Sequence, residues 1–285
     1  MTEHSTRSRS LRRNPGPNAF APARADPHWA YRAALVAVLA LLPFTACRAA
    51  LYDEIQVYTD DINEPGEFGL ELHVNTTPRG RSQPDYLGEA VPNRGWRATP
   101  EFSYGLTRDF EAGLYLPVSR ERGDGARLAG AKLRLKWVPV HAQDHGGWFF
   151  GLNGELSRLQ QRYSESRSGF ELRTMLGWRD ARWLVAINPV LGWDLSGGYR
   201  GRSPETGLSS KVARTLGASG FALGFEHYAG LGTLGGTLPS GQQSSTLYAV
   251  VDYGGHGWDL NFGVGRGLTS SSDTLSVKAI VGFPF

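Results

Sequence analysis

Past residue 50 this chain has no long apolar run, yet from Phe68 to its last residue it alternates apolar with polar side chains over and over. Those two facts together leave few folds open. A helical membrane span needs about 20 consecutive apolar residues, and the chain offers none there. A repeat of period two places every second side chain on one face, which is the signature of a β-strand with one apolar and one polar surface. The first such segment sets Phe68, Leu70, Leu72 and Val74 against Gly69, Glu71, His73 and Asn75. A soluble β-sandwich shows the same local pattern, so a single segment decides nothing.

The pattern recurs about twelve times. Apolar rows run through Ala98, Pro100 and Phe102; through Phe110, Ala112, Leu114, Leu116 and Val118; and through Ala131, Leu133, Leu135 and Trp137. They continue at Trp148–Leu156, Phe170–Trp178 and Trp183–Trp193, then at Phe221–Tyr228, Thr246–Tyr253, Trp258–Val264 and Leu275–Phe285. The segment around Glu205–Leu216 has the weakest alternation. Pro100 and Pro189 fall inside proposed strands, where a missing N–H predicts bulges. Arg214 falls in the apolar row, which predicts either a place near an interface or a bulge in its strand.

Two regularities concern the whole chain. Connections alternate between tight ones, such as Gly105–Asp109, Arg179–Arg182, Gly217–Ser219 and Gly254–Gly257, and long polar ones, such as Thr77–Gly95 and Ala229–Ser244. Short turns at one end and long loops at the other are the habit of outer-membrane barrels. Aromatics of the apolar row also gather beside the tight turns: Tyr104 and Phe110, Trp137 and Trp148, Trp178 and Trp183, Tyr253 and Trp258. A sandwich core gives no reason for that placement, whereas a girdle at headgroup depth does. The expected fold is therefore all-β: a transmembrane, antiparallel, up-and-down β-barrel of about twelve strands in the outer membrane of a Gram-negative cell.

The N-terminal residues carry a different message. Tyr31-Arg32 precedes an apolar stretch from Ala33 to Leu42, then Pro43 and small residues ending at Ala49-Ala50, as in a cleaved signal peptide. Residues 1–50 are read as a polar prelude plus this leader, and 51–285 as one barrel domain. The leader also explains the basic overall charge. It holds seven of the thirty Lys and Arg but two of the 27 acids, which leaves 23 bases against 25 acids. A nucleic-acid partner loses its electrostatic basis at that point. Cys47, the only cysteine, sits in the leader, so no internal disulfide is possible. Phe44-Thr45-Ala46-Cys47 loosely matches a lipid-modification box, and a small residue near a cleavage site is the alternative.

The opening Asp53-Glu54-Ile55-Gln56-Val57-Tyr58, followed by Asp60-Asp61-Ile62-Asn63 and Pro65-Gly66-Glu67-Phe68, resembles a poorly characterised family of bacterial outer-membrane barrels. That family is loosely grouped with proteins of a meta-pathway of phenol degradation and carries a presumed transport role. The resemblance implies fold and location, and transport only by label. The terminal Phe285 and the alternating strand before it resemble the signal read by the barrel-assembly machinery, which with outer-membrane lipid is the expected partner.

With apolar residues facing lipid, the opposite row lines the interior. It holds Arg97, Lys132, Arg134, Lys136, Arg173, Lys211 and Lys278, against Glu71, Glu101, Glu111, Glu155, Glu171, Glu226, Asp252 and Asp259, with His73 among them. Lys278 is expected beside Glu71, and the Lys132–Arg134–Lys136 trio between Glu111 and Glu155. These charges form either a paired structural network or the lining of a narrow pore whose basic ladder attracts anions. No cofactor is expected, and the linear spacing shows no metal cluster. No His-x-Ser-Asn-Gly segment of the outer-membrane phospholipase type occurs. The leading reading is a channel or transporter for small solutes. A non-conducting structural or adhesive barrel is the alternative, and a lipid-modifying enzyme trails both.

Overall fold

The computed structural model describes residues 54–284. The leader, Cys47, Asp53 and Phe285 lie outside the described residues. Fifteen strands follow one another: β1 (Phe68–Arg79), β2 (Trp96–Gly105), β3 (Phe110–Tyr115), β4 (Val118–Arg120), β5 (Arg127–Leu128), β6 (Gly130–Val140), β7 (Gly147–Leu159), β8 (Ser168–Arg179), β9 (Trp183–Asp194), β10 (Glu205–Thr215), β11 (Phe221–Thr233), β12 (Gly236–Thr237), β13 (Ser244–Gly255), β14 (Trp258–Gly267) and β15 (Leu275–Pro284). They make twelve staves. β4 continues β3 along the same partner, β2, and β5 leads into β6, while β12 is a two-residue pair in a loop. Every pairing is antiparallel, and β1 pairs with both β2 and β15, so the sheet closes on itself. Closure leaves no unpaired edge, which a sheet in lipid cannot afford.

The tight turns show why these residues end their strands. At the β8–β9 turn the Asp180 carboxylate accepts from the backbone N–H groups of Arg182 and Trp183, both at 2.7 Å. The β13–β14 turn is two residues, His256 and Gly257, both with positive φ (55° and 78°), as a type I′ hairpin requires.

The prolines behave differently from expectation. On both sides of Pro100 and of Pro189 the pairing register continues unchanged, so neither carries a bulge. Each ladder simply omits a bond that proline cannot donate, and Pro100 still accepts from the Leu116 N–H at 3.1 Å. Register shifts occur instead between Trp137 and Val140, where Pro139 lies, and opposite Thr206–Gly207 in β11. Strand β10 itself is regular, so Arg214 stays on the outer face, its guanidinium 5.5 Å from the Trp183 ring centre.

The outer surface is apolar over its middle. Leu133 and Phe225 are each 60% exposed, and Leu135, Leu156, Leu176, Ile187, Val212 and Phe262 are exposed beside them. Soluble monomers do not carry a continuous belt of this kind. At the tight-turn end the outward aromatics meet in pairs across neighbouring strands. Phe110 faces Trp137 with ring centres 6.1 Å apart, Trp148 pairs in register with Trp178, and Tyr253 lies 4.8 Å from Trp258. Phe68 against Tyr104 (4.5 Å) and Phe221 against Tyr253 (4.7 Å) extend the same ring.

Candidate functional site

The interior is occupied. Residues 54–66, which precede β1, run from the middle of the lumen to the tight-turn end, as a strap. There Glu64-Pro65-Gly66-Glu67 reverses the chain into β1, with proline at the second turn position and Gly66 at φ 88°, the geometry of a type II turn. The turn sits so close to the wall that a Cβ on Gly105 would lie 2.1 Å from the Glu64 carbonyl oxygen. Only glycine fits there.

Three apolar side chains decide how the strap binds. Ile55, Val57 and Tyr58 are buried. Ile55 packs on Tyr248 and Val250, Val57 on Phe149 and Ala186, and Tyr58 on Val138 and Met175. Each fully buried apolar side chain contributes roughly 1.5–3 kcal/mol. The strap backbone is held by side chains of the wall. Asn188 accepts from the Tyr58 N–H at 2.7 Å and donates to the Tyr58 carbonyl at 3.0 Å. Arg173 donates to the Gln56 carbonyl (3.0 Å), Lys278 to the Ile55 carbonyl (2.8 Å) and Lys136 to the Asp61 carbonyl (3.0 Å). Nearer the tight turns, Asp60 accepts from the Ala142 N–H at 2.9 Å and pairs with Arg179, which also reaches Asp61 at 2.9 Å. Its place in the lumen mouth thins the solvent around the Asp61 carboxyl, but Arg179 and the Thr59 hydroxyl hold it below its ordinary value.

The twelve residues expected inside, Glu71, His73, Arg97, Glu101, Glu111, Lys132, Arg134, Lys136, Glu155, Glu171, Arg173 and Lys278, all lie on the inner row, and all but Glu71 and Glu171 are buried. The basic trio is not a free ladder. Lys132 pairs with Glu155 (3.1 Å), and Arg134 with Glu101 (2.8 Å) and Glu111 (2.5 Å). Lys136 sits 3.9 Å from Glu111. Strap and trio interlock at Tyr58: its ring lies 5.0 Å from the Lys136 ammonium and 4.6 Å from the Arg173 guanidinium, and its hydroxyl bonds Glu54 and, at 2.8 Å, the Tyr115 hydroxyl.

A second network lies on the opposite wall. Lys278 binds Glu226, and Lys211 bridges Glu226 (3.2 Å) and Asp252 (2.8 Å). The expected neighbour of Lys278 was Glu71. The register instead places Glu71 opposite Gly282 and Lys278 opposite Asn75, so the lysine finds its partner on β11. A further correction concerns metal geometry. Glu71 and Glu101 face each other across the β1–β2 ladder, and with His73 they offer three ligand atoms within 4.8 Å of one another. Linear spacing hides this, because the partners are 28 and 30 residues apart and joined by a long loop.

Space remains at both ends, and at the tight-turn end a cavity of about 660 Å³ lies between Asp60, Asn63, His141 and Arg179. A cavity of about 160 Å³ opens at the long-loop mouth, lined by Arg81, Glu89, Lys132 and Glu171 among others. At about 30 Å³ per water that is room for a few waters.

A closed antiparallel barrel of twelve staves, apolar outside and polar within, is a transmembrane β-barrel of the outer-membrane type. Among solved structures the chain is similar to the COG4313 outer membrane channel of Pseudomonas putida F1, with a TM-score of 0.53 and 12% identity, over 81% of this chain and all of that one. The KdgM porin aligns with a TM-score of 0.46 and 14% identity over 76% of this chain and 99% of its own. LpxR from Salmonella typhimurium reaches 0.39 and 12%, over 75% and 99%. At such identities the likeness is one of fold, and only the first is close enough to support even that. No protein-family model matches the chain, and no curated protein matches its sequence.

Proposed function

We propose that this protein is an outer-membrane channel for small solutes that is closed by its own N-terminal strap. The observation that carries the proposal is the way the strap is held. A barrel of this width has space inside that its wall side chains do not fill, and here a segment outside the sheet fills it. Its attachments are side-chain hydrogen bonds and three apolar contacts rather than a strand ladder, so it is separable from the wall. The trio Lys132, Arg134 and Lys136, together with Arg173, acts as a clamp on strap and acids, and displays anion selectivity only when the strap leaves. The aromatics Tyr104, Phe110, Trp137, Trp148, Trp178, Trp183, Tyr253 and Trp258 are read as the girdle at one membrane interface. The partners are outer-membrane lipid and, through the C-terminal strand, the assembly machinery. The segment that resembles the meta-pathway-type transporters is the strap itself, which supports grouping this chain with them. We read the chain as a non-enzyme: the imidazole of His73 faces carboxylates, and His227, which meets the Ser245 hydroxyl at 2.8 Å, has no carboxylate paired with its ring among the described residues.

The test is single-channel conductance of refolded residues 50–285 in planar bilayers, with reversal potentials across a salt gradient, beside a variant carrying Val57→Asp and Tyr58→Ala. Rare or small steps in the parent and large, frequent steps in the variant are expected. A folded variant that stays silent would move the protein to the class of non-conducting structural barrels, which the densely paired interior also favours.

A further inference from the structure

Glu71, His73 and Glu101 meet on the inner wall beside Gln56 of the strap. His73 is fully buried, and its Nε2 lies 3.0 Å from a Glu101 oxygen and 3.5 Å from a Glu71 oxygen. One N–H at Nε2 can point at only one of these two acceptors. Nδ1 is buried and finds no partner. An imidazolium here would bury a charged N–H at Nδ1 without an acceptor, whereas with Nε2 on a metal ion that N–H belongs to a neutral ring and is the smaller loss. Charge balance nevertheless calls for a cation. Glu71 and Glu101 are like charges directly opposite in an antiparallel ladder, which is unfavourable. Arg134 and Lys136 are taken up by Glu101 and Glu111, so Glu71 adds a third carboxylate beside two positive charges.

We infer that Glu71, His73 and Glu101 form a binding site for one divalent transition-metal cation of the zinc type. One imidazole nitrogen with two carboxylate oxygens suits that class better than calcium or magnesium, which take oxygen-only shells. The two separations from the ring, 3.0 and 3.5 Å, bracket the roughly 3.3–3.4 Å between donors of a tetrahedral ion whose bonds are about 2.0–2.1 Å, and the two carboxylate oxygens lie within 4.8 Å of each other. A fourth donor stands ready on the strap. The Gln56 amide meets Glu71 through Nε2 at 3.3 Å, while its Oε1 is buried with no partner. Turning the amide over presents that oxygen to the ion. The site then joins β1, β2 and the strap, and the cation pins the strap to the wall.

The experiment is calorimetric titration of Zn²⁺ into the protein purified from membranes, stripped with chelator and dialysed, with Ca²⁺ as the comparison ion. Co²⁺ absorption serves as a second readout of nitrogen ligation. One Zn²⁺ per chain is expected, with Ca²⁺ weaker. Loss of an outer-shell partner alone costs 10–100-fold in affinity, so His73→Ala is expected to weaken binding by at least about 100-fold, and Gln56→Ala by about 10-fold. Glu71→Gln provides a second ligand variant that leaves the Arg134 pairs in place, and heat-modifiable gel mobility reports whether each barrel is folded. No Zn²⁺ uptake by the parent, or uptake unchanged in folded His73→Ala and Glu71→Gln, overturns the inference. Because binding is read without any conductance, this result is independent of whether the barrel conducts.

Discussion

Replacing Asn188 by alanine tests how the strap is held. The side chain is fully buried and points into the lumen from β9, whose own ladder to β8 and β10 does not use it. It makes two hydrogen bonds, both to Tyr58, and imitates the edge of a strand. Alanine removes both and leaves the Tyr58 N–H and carbonyl without these partners. Each such orphan costs about 1–3 kcal/mol, so the strap is expected to lose roughly 3 kcal/mol. Ile55, Val57 and Tyr58 together contribute more than that. The strap is therefore loosened, not expelled. At about 1.4 kcal/mol per tenfold, its opening becomes roughly a hundredfold more frequent. Hydrogen exchange by mass spectrometry on peptides spanning residues 54–63 reads this directly, with strand peptides as internal controls. Unchanged protection of the strap would refute the reasoning, and so would equal loss of protection in β8 and β10, since Asn188 would then be a barrel residue rather than a clamp.

Other outcomes follow from the geometry. Gly105→Ala drives a Cβ into the Glu64 carbonyl, so the turn at Pro65–Gly66 must shift. A loss of about 1–3 kcal/mol is expected in folding titrations into lipid vesicles. Ile187→Arg puts a charge in the middle of the outer belt and is expected to cost about 2–4 kcal/mol in the same assay. Arg214→Ala, beside Trp183 near a strand end, is expected to cost less than about 1 kcal/mol. In the β1–β2 loop, burial works to raise the Glu89 carboxyl, but two hydrogen bonds from Arg81 and one from the Asp85 N–H outweigh it and hold it below its ordinary 4.5. A carboxyl lowered in the folded state stabilises above its unfolded value and loses that contribution as pH falls through the lowered one. Protection of residues 81–89 against proteolysis should therefore hold at neutral pH and disappear only in acid below about 4.5. Persistence of that protection at pH 2 would remove Glu89 from the loop's anchoring.

The barrel was legible because its signal is repetitive. Each stave such as Leu133–Lys136 repeats the same instruction, and the girdle aromatics punctuate it at regular intervals. The strap was not legible because Ile55 and Val57 give only one cycle of alternation, with no partner strand to continue it. A signal did exist on the other side of the contact. Phe149, Met175 and Tyr248 are bulky and apolar, yet they fall in the polar, inward row, where a water-filled lumen has no use for them. The Glu71–His73–Glu101 group needed the β1–β2 register. The long Thr77–Gly95 connection does not fix that register as a two-residue turn would. The expectation of bulges at Pro100 and Pro189 failed for an energetic reason: one absent ladder bond is a smaller loss than the disruption a bulge brings.

The strap's contacts also bear on the order of assembly. It belongs to the chain just ahead of β1, yet its backbone partners include Arg173 on β8, Asn188 on β9 and Lys278 on β15. Lys278 lies on β15, which follows every other stave in the chain and reaches its place only when the seam with β1 closes. Seating of the strap therefore accompanies or follows that closure. A barrel stalled with its seam open lacks the Lys278 bond to the Ile55 carbonyl, so incomplete assembly and a loosely stoppered lumen go together, and completion of the wall is also the event that shuts the door.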